Sequence, residues 1–245
     1  MKFEYVLEGN NINKKFRGFT LDVPHFHIPK GFATALIGEN GAGKTTLMNI
    51  LAGIRLDYKG ELTYFGQYHD KDREDNPIVK EQYAYTGPGT YYLTQWTVGQ
   101  IRNLNQLLFE NFHEDRFEKL CERLAVGGEG NVSGKKVRSL SDGNKMKLMI
   151  ASALARDTKL LMMDEPASPL DPLMRDCLCS LIREYLAENE GENSVFFSTH
   201  NIADMENVTD YAIIMERGRI VEEGFVEDLK EKYVYVKGEP RDIEA

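Results

Sequence analysis

The stretch that decides the fold spans residues 38–46 and reads Gly38-Glu39-Asn40-Gly41-Ala42-Gly43-Lys44-Thr45-Thr46. It matches the phosphate-binding loop pattern, in which a glycine and four variable residues precede Gly-Lys-Thr. The glycines let backbone N–H groups turn inward around phosphate oxygens, where a side chain would obstruct them. We expect Lys44 to neutralise the β- and γ-phosphates of a nucleotide and the Thr45 hydroxyl to ligate Mg²⁺. All nine residues are therefore candidates for nucleotide binding.

The segments on either side of this loop have the pattern that the motif requires. Residues 32–37 form an apolar run typical of a buried strand, and residues 45–54 have helical spacing. The apolar residues on one face of that predicted helix are Leu47, Ile50, Leu51 and Ile54. The N-terminus of the helix would add its positive pole to the phosphate site. This strand–loop–helix context separates the motif from a chance glycine-rich turn.

Outside the loop, short apolar runs alternate with helical stretches, a pattern typical of a mostly parallel sheet covered by helices. Further buried strands are expected at residues 160–163, 194–199 and 211–215. Residues 97–126 have helical spacing instead. The apolar residues that carry this spacing are Leu104, Leu107, Leu108, Phe112, Phe117, Leu120 and Leu124. The predicted units are a nucleotide-binding α/β core at 1–87 and 140–236, an inserted helical subdomain at 88–139 and a tail at 237–245.

Two acids follow the apolar run at 160–163. Asp164, at the tip of the predicted strand, can hold Mg²⁺ through water, and Glu165 is placed to polarise an attacking water. The two acids lie far from Lys44 in the sequence, so they can share a site with it only if the fold brings the two motifs close together. A GTPase or a general phosphate-loop ATPase would explain both motifs.

Composition excludes several other classes of protein. The chain has 245 residues, 42% hydrophobic and 28% charged, with a formal net charge of −9, so a globular protein is expected and a general nucleic-acid binder is not. The uncharged stretch at 82–101 is interrupted by Gly, Pro, Thr and Gln, which argues against a membrane span. Three cysteines, Cys121, Cys177 and Cys179, favour reduced thiols in a cytosolic setting, and no secretory signal is expected.

A third motif, residues 140–144, precedes a helical run and reads Leu140-Ser141-Asp142-Gly143-Asn144. A Ser and a Gly at a helix N-terminus form a phosphate cradle. This helix end cannot also be the phosphate-binding loop of its own chain, so we expect it to complete the site of a second copy. With this motif the sequence resembles the ATP-binding subunits of ABC transporters, over about residues 3–233. The resemblance implies ATP and Mg²⁺ as ligands, and a phosphate-loop (RecA-like), mostly parallel core with an antiparallel N-terminal β part and an inserted helical subdomain.

The resemblance also implies roles for single residues. The family's LSGGQ motif contacts the γ-phosphate through its Ser and its second Gly. This chain keeps both, as Ser141 and Gly143. The other two positions differ from the family pattern, because Asp142 adds negative charge near the phosphates and Asn144 replaces the usual Gln. These two changes leave the strength of the phosphate contact across the dimer open.

Three further family elements map onto this chain. Residues 167–171 resemble the D-loop, in which Asp171 communicates across the dimer. His200 resembles the switch histidine that contacts the γ-phosphate and orients Glu165 and the water. Phe16 is the candidate for the aromatic residue that stacks on adenine.

One expected part of the family pattern is missing. The family has a Gln, or sometimes a Glu, after the strand that would be residues 82–86 here, where it touches Mg²⁺ and the attacking water and signals to the membrane subunit. In this chain that position falls on Gly87, Pro88 or Gly89, and Gln82 and Gln95 are out of register. Three explanations stay open: a neighbouring residue substitutes, a water does, or coupling is altered.

The function implied by the resemblance is ATP hydrolysis by a homodimer that powers a separately encoded transmembrane permease at the inner face of the cell membrane. ATP would lie between residues 38–46 of one copy and 141–143 of the other. The short helical insertion and residues 199–206 resemble the ATPases of small bacterial exporters, so export is expected. Two alternatives stay open: a soluble ABC-type ATPase without a transporter, such as one in iron–sulfur assembly, and a nucleotide-binding regulator with weak turnover.

Two other groups of residues are weighed against a site. His25 and His27 would share one face of a strand, and we expect a structural role because no further metal ligands accompany them. Tyr91, Tyr92 and Trp96 lie in the uncharged stretch. Core packing and an interface are both open for these aromatic residues.

Overall fold

The computed structural model describes residues 5–70, 77–89, 92–128, 130 and 132–232. Tyr91 and the predicted tail at 237–245 lie outside these residues. The strands are β1 (Tyr5–Phe16), β2 (Phe19–Pro29), β3 (Ala33–Ile37), β4 (Lys59–Tyr64), β5 (Tyr68–His69), β6 (Tyr83–Thr86), β7 (Leu160–Asp164), β8 (Ser194–Thr199), β9 (Tyr211–Glu216) and β10 (Arg219–Phe225). The helices are α1 (Lys44–Leu51), α2 (Pro77–Glu81), α3 (Val98–Leu108), α4 (Glu114–Arg123), α5 (Asp142–Leu154), α6 (Pro172–Ala187) and α7 (Val226–Lys232).

The central sheet has the strand order β10-β9-β3-β8-β7-β6 within the described residues. The pairs β9–β3, β3–β8, β8–β7 and β7–β6 are parallel, and β10 adds an antiparallel edge. Every residue of β7 and β8 is buried, because helices or a second sheet cover both faces of the sheet. The predicted α/β fold class is confirmed.

A second, antiparallel sheet with the order β2-β1-β4-β5 packs on one face of the central sheet. Leu21, Phe26 and Leu62 from this sheet share a buried cluster with Leu47 of α1 and Leu36 of β3. On the opposite face, helices α5 and α6 pack on the central strands in a second cluster. The predicted antiparallel N-terminal part is therefore present, and α1 lies between the two sheets.

Helix α1 ends at Leu51, three residues earlier than the pattern predicts. Gly53 adopts a left-handed φ of 72°, and the Ile54 N–H donates to the Asn49 carbonyl at 2.9 Å. These are the marks of a glycine-terminated Schellman cap. The cap turns Ile54 out of the helix, and its side chain is 55% exposed rather than on the buried face.

The predicted helical stretch at 97–126 is two helices, α3 and α4, separated by residues 109–113. Helix α3 buries Val98, Ile101 and Asn105, and its cap is Thr97, which forms a capping box with Gln100. Leu107 is 83% exposed, contrary to its place in the predicted apolar set. It lies two residues beyond Asn105, about 200° around the helix axis, so it faces away from the core. Leu108 is likewise exposed.

None of the helices in the described ranges has the length and apolar character that crossing a membrane requires.

Arg156 connects the segment after α5 to the chain before β6. Its side chain is buried, and Nη2 donates to the carbonyls of Lys80 and Glu81 at 3.2 Å each. The guanidinium carbon lies 3.6 Å from the centroid of the Phe109 ring. Burial lowers the pKa of the Arg156 guanidinium to about 10, so it stays charged at neutral pH.

Replacing Arg156 with Ala should destabilise the protein, because the buried guanidinium that donates to two backbone carbonyls and contacts the Phe109 ring is lost. The expected loss in the free energy of unfolding is about 2–3 kcal/mol, measured by denaturant titration. The matched control is Arg123→Ala, which removes an exposed pair with Glu184 and should cost less than about 1 kcal/mol. Equal losses for the two variants would contradict this structural role of Arg156.

Candidate functional site

The loop between β3 and α1 has the geometry that the sequence pattern predicts. Gly43 caps α1 with a φ of 111°, a left-handed conformation that favours glycine. A Cβ atom at Gly38 would lie 2.4 Å from the Met215 carbonyl oxygen of β9, so no side chain fits at this position. The two glycines keep the loop tight against the edge of the sheet.

Lys44 is the first residue of α1, and its side chain is 5% exposed. Its ammonium donates to the Gly38 carbonyl at 2.6 Å and to the Glu39 carbonyl at 3.3 Å. It also pairs with the Glu165 carboxylate, with Nζ 3.2 Å from Oε1. The fold thus brings together the two motifs that lie far apart in the sequence.

Ser198 fixes the two acids at the end of β7. Asp164 is paired with Ser198 in the parallel register of β7 and β8. The Ser198 hydroxyl donates to Asp164 Oδ1 and accepts from the Glu165 N–H at 2.9 Å. Sequence reasoning missed Ser198, although a hydroxyl residue near the end of a buried strand, two residues before the candidate His200, was a signal that could have found it.

Asp164 has a carboxylate oxygen suited to a cation. The residue is fully buried, and Oδ2 has no hydrogen-bond partner among the described residues. Burial raises the pKa of Asp164, while the nearby hydroxyls of Ser198 and Thr45 act in the opposite direction. A carboxylate and a hydroxyl next to a phosphate site are the oxygen donors that Mg²⁺ accepts from proteins, so Asp164 and Thr45 fit this ion.

Glu165 lies between two cationic or potentially cationic groups. Its Oε2 is 2.7 Å from His200 Nδ1, while Oε1 contacts Lys44. The backbone of Glu165 has a φ of 52°, a strained conformation for a residue with a side chain. The hydrogen bond from its N–H to Ser198 holds that conformation. Lys44, Glu165 and His200 therefore form a continuous chain of contacts.

These groups line a cleft of about 710 Å³, within the range of small-molecule sites. Its walls are formed by Phe16, Phe19, Asn40, Gly41, Gly43, Lys44, Thr45, Thr46, Pro88, Glu165, Ser168 and His200. Three residues of the predicted loop contribute no cleft wall. Gly38 and Glu39 instead offer their carbonyls to Lys44, and the buried Ala42 accepts a bond from the Gly218 N–H at 2.8 Å.

Ser141 and Gly143 lie outside this cleft. Ser141 is the exposed N-cap of α5, and its hydroxyl accepts from the N–H and the side-chain amide of Asn144 at 3.3 and 3.1 Å. A Cβ atom at Gly143 would lie 2.6 Å from the Pro169 carbonyl oxygen. The first turn of α5 therefore packs directly against the loop at 167–171.

The two residues that differ from the family motif make contacts of their own. The Asn144 amide oxygen accepts from the Gly127 N–H at 2.9 Å, which ties α5 to the loop after α4. Asp142 pairs with Lys145 at 2.8 Å, and the hydrogen bond from Lys145 lowers the pKa of the Asp142 carboxyl. Its negative charge is thus partly balanced on the same helix.

Asp171 is also outside the cleft and caps helix α6. Its Oδ1 accepts from the Met174 N–H at 3.0 Å. Within one chain, Asp171 therefore terminates the loop at 167–171 and starts the helix that follows.

The residues at the position of the family's missing Gln lie beside Glu165. Residues 87–89 line a second cleft of about 380 Å³ together with Glu165, Ser168 and Lys145. Gly87, Pro88 and Gly89 themselves carry no polar side chain. The residue before them, Thr86, ends β6 with a buried hydroxyl that has no hydrogen-bond partner among the described residues.

The histidine pair on β2 makes packing contacts. The rings of His25 and His27 are 6.0 Å apart, and His27 Nε2 lies 3.1 Å from the Tyr211 hydroxyl. The described part of the chain contains no group of three or more His, Cys, Asp or Glu residues that could hold a metal ion. These contacts tie β2 to β9.

Comparison with known proteins finds relatives that are ATP-binding proteins of ABC transporters. The family profile described as ABC transporter matches residues 21–168. The tungstate uptake system ATP-binding protein TupC of Peptoclostridium acidaminophilum is 28% identical over 218 residues, covering 88% of this chain and 97% of TupC. The bacitracin transport ATP-binding protein BcrA of Enterococcus faecalis is 30% identical over 235 residues, covering 95% of this chain and 73% of BcrA.

Solved structures agree with this fold. An ATP-binding subunit of an ABC transporter superimposes with a TM-score of 0.75 at 26% identity, over 93% of this chain and 92% of that chain.

Replacing Ser198 with Ala should destabilise the site, because Asp164 loses a donor and the Glu165 N–H loses its acceptor. We expect the free energy of unfolding to fall by about 1–3 kcal/mol, measured as a lower denaturation midpoint. Ser180→Ala is the control, since its hydroxyl donates to the Asp176 carbonyl of its own helix in an exposed hydrogen bond of 3.1 Å and its loss should change little. A wild-type midpoint for Ser198→Ala would contradict the bridging role.

Proposed function

This chain belongs to the ABC transporter family as an ATP-binding subunit and is an ATPase, and on that premise we propose that two copies hydrolyse ATP at a shared interface to drive transport. The observation that carries the proposal is the contact chain Lys44–Glu165–His200 at the wall of the cleft. A cation, a carboxylate and an imidazole in contact beside the loop at 38–46 support a role for these three groups at a terminal phosphate.

Glu165 is the group proposed to activate water. The negative charge of a triphosphate on the loop would compete with the Glu165 carboxylate for the Lys44 ammonium group. A carboxylate released from that pair can accept a proton from a water that attacks the γ-phosphate. His200 holds the other carboxylate oxygen and so orients the base. Lys44 and the loop N–H groups stabilise the charge that develops on the phosphate oxygens.

Mg²⁺ is proposed to bind at Asp164 and Thr45. The free Oδ2 atom of Asp164 supports this assignment, because a buried carboxylate oxygen without a donor is costly unless a cation balances it. When bound, the ion would neutralise charge on the β- and γ-phosphate oxygens.

The base of ATP is proposed to stack on Phe16. The ring is 38% exposed and lines the same cleft as Glu165, and an exposed aromatic ring next to the loop at 38–46 suits a purine. Phe19 packs next to it in a tilted pair, with ring centroids 6.0 Å apart.

The second copy is proposed to supply Ser141 and Gly143. Both residues lie at the N-terminus of α5, outside the cleft of their own chain. Ser141 is exposed, so it is available to a phosphate held by a partner. Asp171, in the loop that packs on this helix, would lie at the same interface.

Replacing Glu165 with Gln should trap an ATP-bound dimer. The amide keeps the shape of the side chain but cannot accept the water proton, so kcat should fall by at least about 100-fold. Size-exclusion chromatography with light scattering should show a dimer with ATP and a monomer with ADP. A variant that hydrolyses ATP at the wild-type rate would contradict the role given to Glu165.

The permease is proposed to dock on a third cleft, which we call the docking groove. It has a volume of about 560 Å³ and is lined by Ala52, Gly53, Leu56, Lys80, Tyr83, Tyr85, Phe109 and Arg156. Leu56 is 53% exposed there, next to the exposed Ile54. An exposed apolar patch around a groove is typical of a protein interface. Docking there would place the chain at the inner face of the membrane.

Export is the proposed direction. The support is that the α-helices in the described part of the insertion are the short α3 and α4 and that residues 199–206 resemble those of small bacterial exporters. The docking groove, with the exposed Leu56, favours a transport role over iron–sulfur assembly and over regulation. The complete contact chain at Glu165 also argues against a regulator with weak turnover.

Replacing Leu56 with Asp should weaken docking, because a charge in the groove must be desolvated on binding. Co-purification of the permease from detergent-solubilised membranes should fall at least about tenfold. The matched control is Val221→Asp, an equally exposed apolar residue on β10, which should co-purify like the wild type. Equal recovery for both variants would argue for another docking surface.

A further inference from the structure

Phe16 sits beside two positively charged side chains. The Lys14 ammonium lies 5.4 Å from the centroid of the Phe16 ring, and the Arg55 guanidinium carbon lies 5.1 Å from it. Lys14 is on the same strand as Phe16, two residues earlier, so both side chains leave the same face of β1. Arg55 comes from the loop after α1. Both distances are within the range of cation–π attraction.

Asp57 holds both cations. The Lys14 ammonium donates to Asp57 Oδ2, and Arg55 Nη1 donates to Oδ1 at 3.0 Å. The hydrogen bond from Lys14, the largest effect, lowers the pKa of the Asp57 carboxyl, and Arg55 acts in the same direction. We call Lys14, Arg55 and Asp57 the clamp.

The Phe16 ring stays partly open beside the clamp, with 38% of the residue exposed. A single carboxylate cannot bind two cations that stand directly opposite each other across a ring, when each is more than 5 Å from its centroid. The two cations therefore do not enclose the ring from directly opposite positions. The Phe16 ring also lines the cleft that ends at Lys44 and Glu165.

We propose that Asp57 is a positioning residue for the nucleobase: it locks Lys14 and Arg55 against Phe16 and so fixes the orientation in which the ring stacks on a purine. The proposal rests on the proposed stacking role of Phe16. Cations next to the ring draw electron density from it, which favours stacking of an electron-rich purine on the exposed part of the ring. Because the clamp contacts the ring and not the loop at 38–46, it acts on the base and leaves binding of the phosphates unchanged.

The clamp can be tested with the full-length chain by steady-state kinetics. Asp57→Asn removes the charge that joins the two cations while keeping the size of the side chain. We expect the KM for ATP to rise about fivefold with kcat within twofold of the wild type. The inhibition constant of inorganic tripolyphosphate, which has no base to stack, should stay the same. In a Phe16→Ala background, Asp57→Asn should add nothing.

Two controls keep the result specific. Glu206→Gln removes a similarly exposed pair, formed with Lys230 at 2.8 Å, and should leave the KM for ATP unchanged. Arg55→Gln breaks the clamp from its other side and should raise the KM as Asp57→Asn does, so the test does not depend on one variant folding.

The outcomes separate the clamp from the stacking role. If Phe16→Ala leaves the KM for ATP unchanged, the stacking role fails and the clamp with it. If Phe16→Ala raises the KM but Asp57→Asn and Arg55→Gln do not, the clamp alone is overturned. Weaker tripolyphosphate binding in Asp57→Asn, or additive effects with Phe16→Ala, would likewise overturn it, because either result means that Asp57 acts elsewhere.

Discussion

The register between three parallel strands is the constraint on which the site depends. Ile37 of β3 is opposite Thr199 of β8, and Ser198 of β8 is opposite Asp164 of β7. Because parallel strands end at the same edge of a sheet, their following loops meet there. A slip of one residue would turn Ser198 to the other face, and Asp164 and the Glu165 N–H would both lose their partner.

Features encoded by neighbouring residues could be predicted from the sequence. The loop at 38–46 and strand β8 are local patterns of glycine or apolar residues, and the structure has them at the predicted places. The bond from Ser198 to Asp164 and the positive φ of Glu165 depend on strand pairing across more than 30 residues. Leu107 shows the limit of periodicity, because many apolar residues fit a helical repeat but only packing decides which face is buried.

The start of α5 illustrates how one chain can prepare a surface for another. The absence of a side chain at Gly143 lets α5 approach the Pro169 carbonyl, and Asp171 begins the next helix from the same loop. Asn144 fixes the other side of the turn through Gly127. The exposed Ser141 hydroxyl therefore stands on a turn that is braced from two directions, and little ordering is left to occur on contact with a partner.

Residues 55–57 show how three consecutive positions can serve two surfaces. Arg55 lies against the Phe16 ring and is bound by Asp57, while Leu56 between them lines the docking groove. These residues follow the glycine-capped end of helix α1. Binding at the Phe16 ring or at the docking groove would therefore restrict the conformation of the same three residues. Thermodynamic linkage makes any such influence mutual: whatever factor a bound protein at Leu56 contributes to nucleotide affinity, the nucleotide contributes to the affinity for that protein. The coupling free energy between the two surfaces would thus be the same in both directions, and about 10 Å of backbone would connect them.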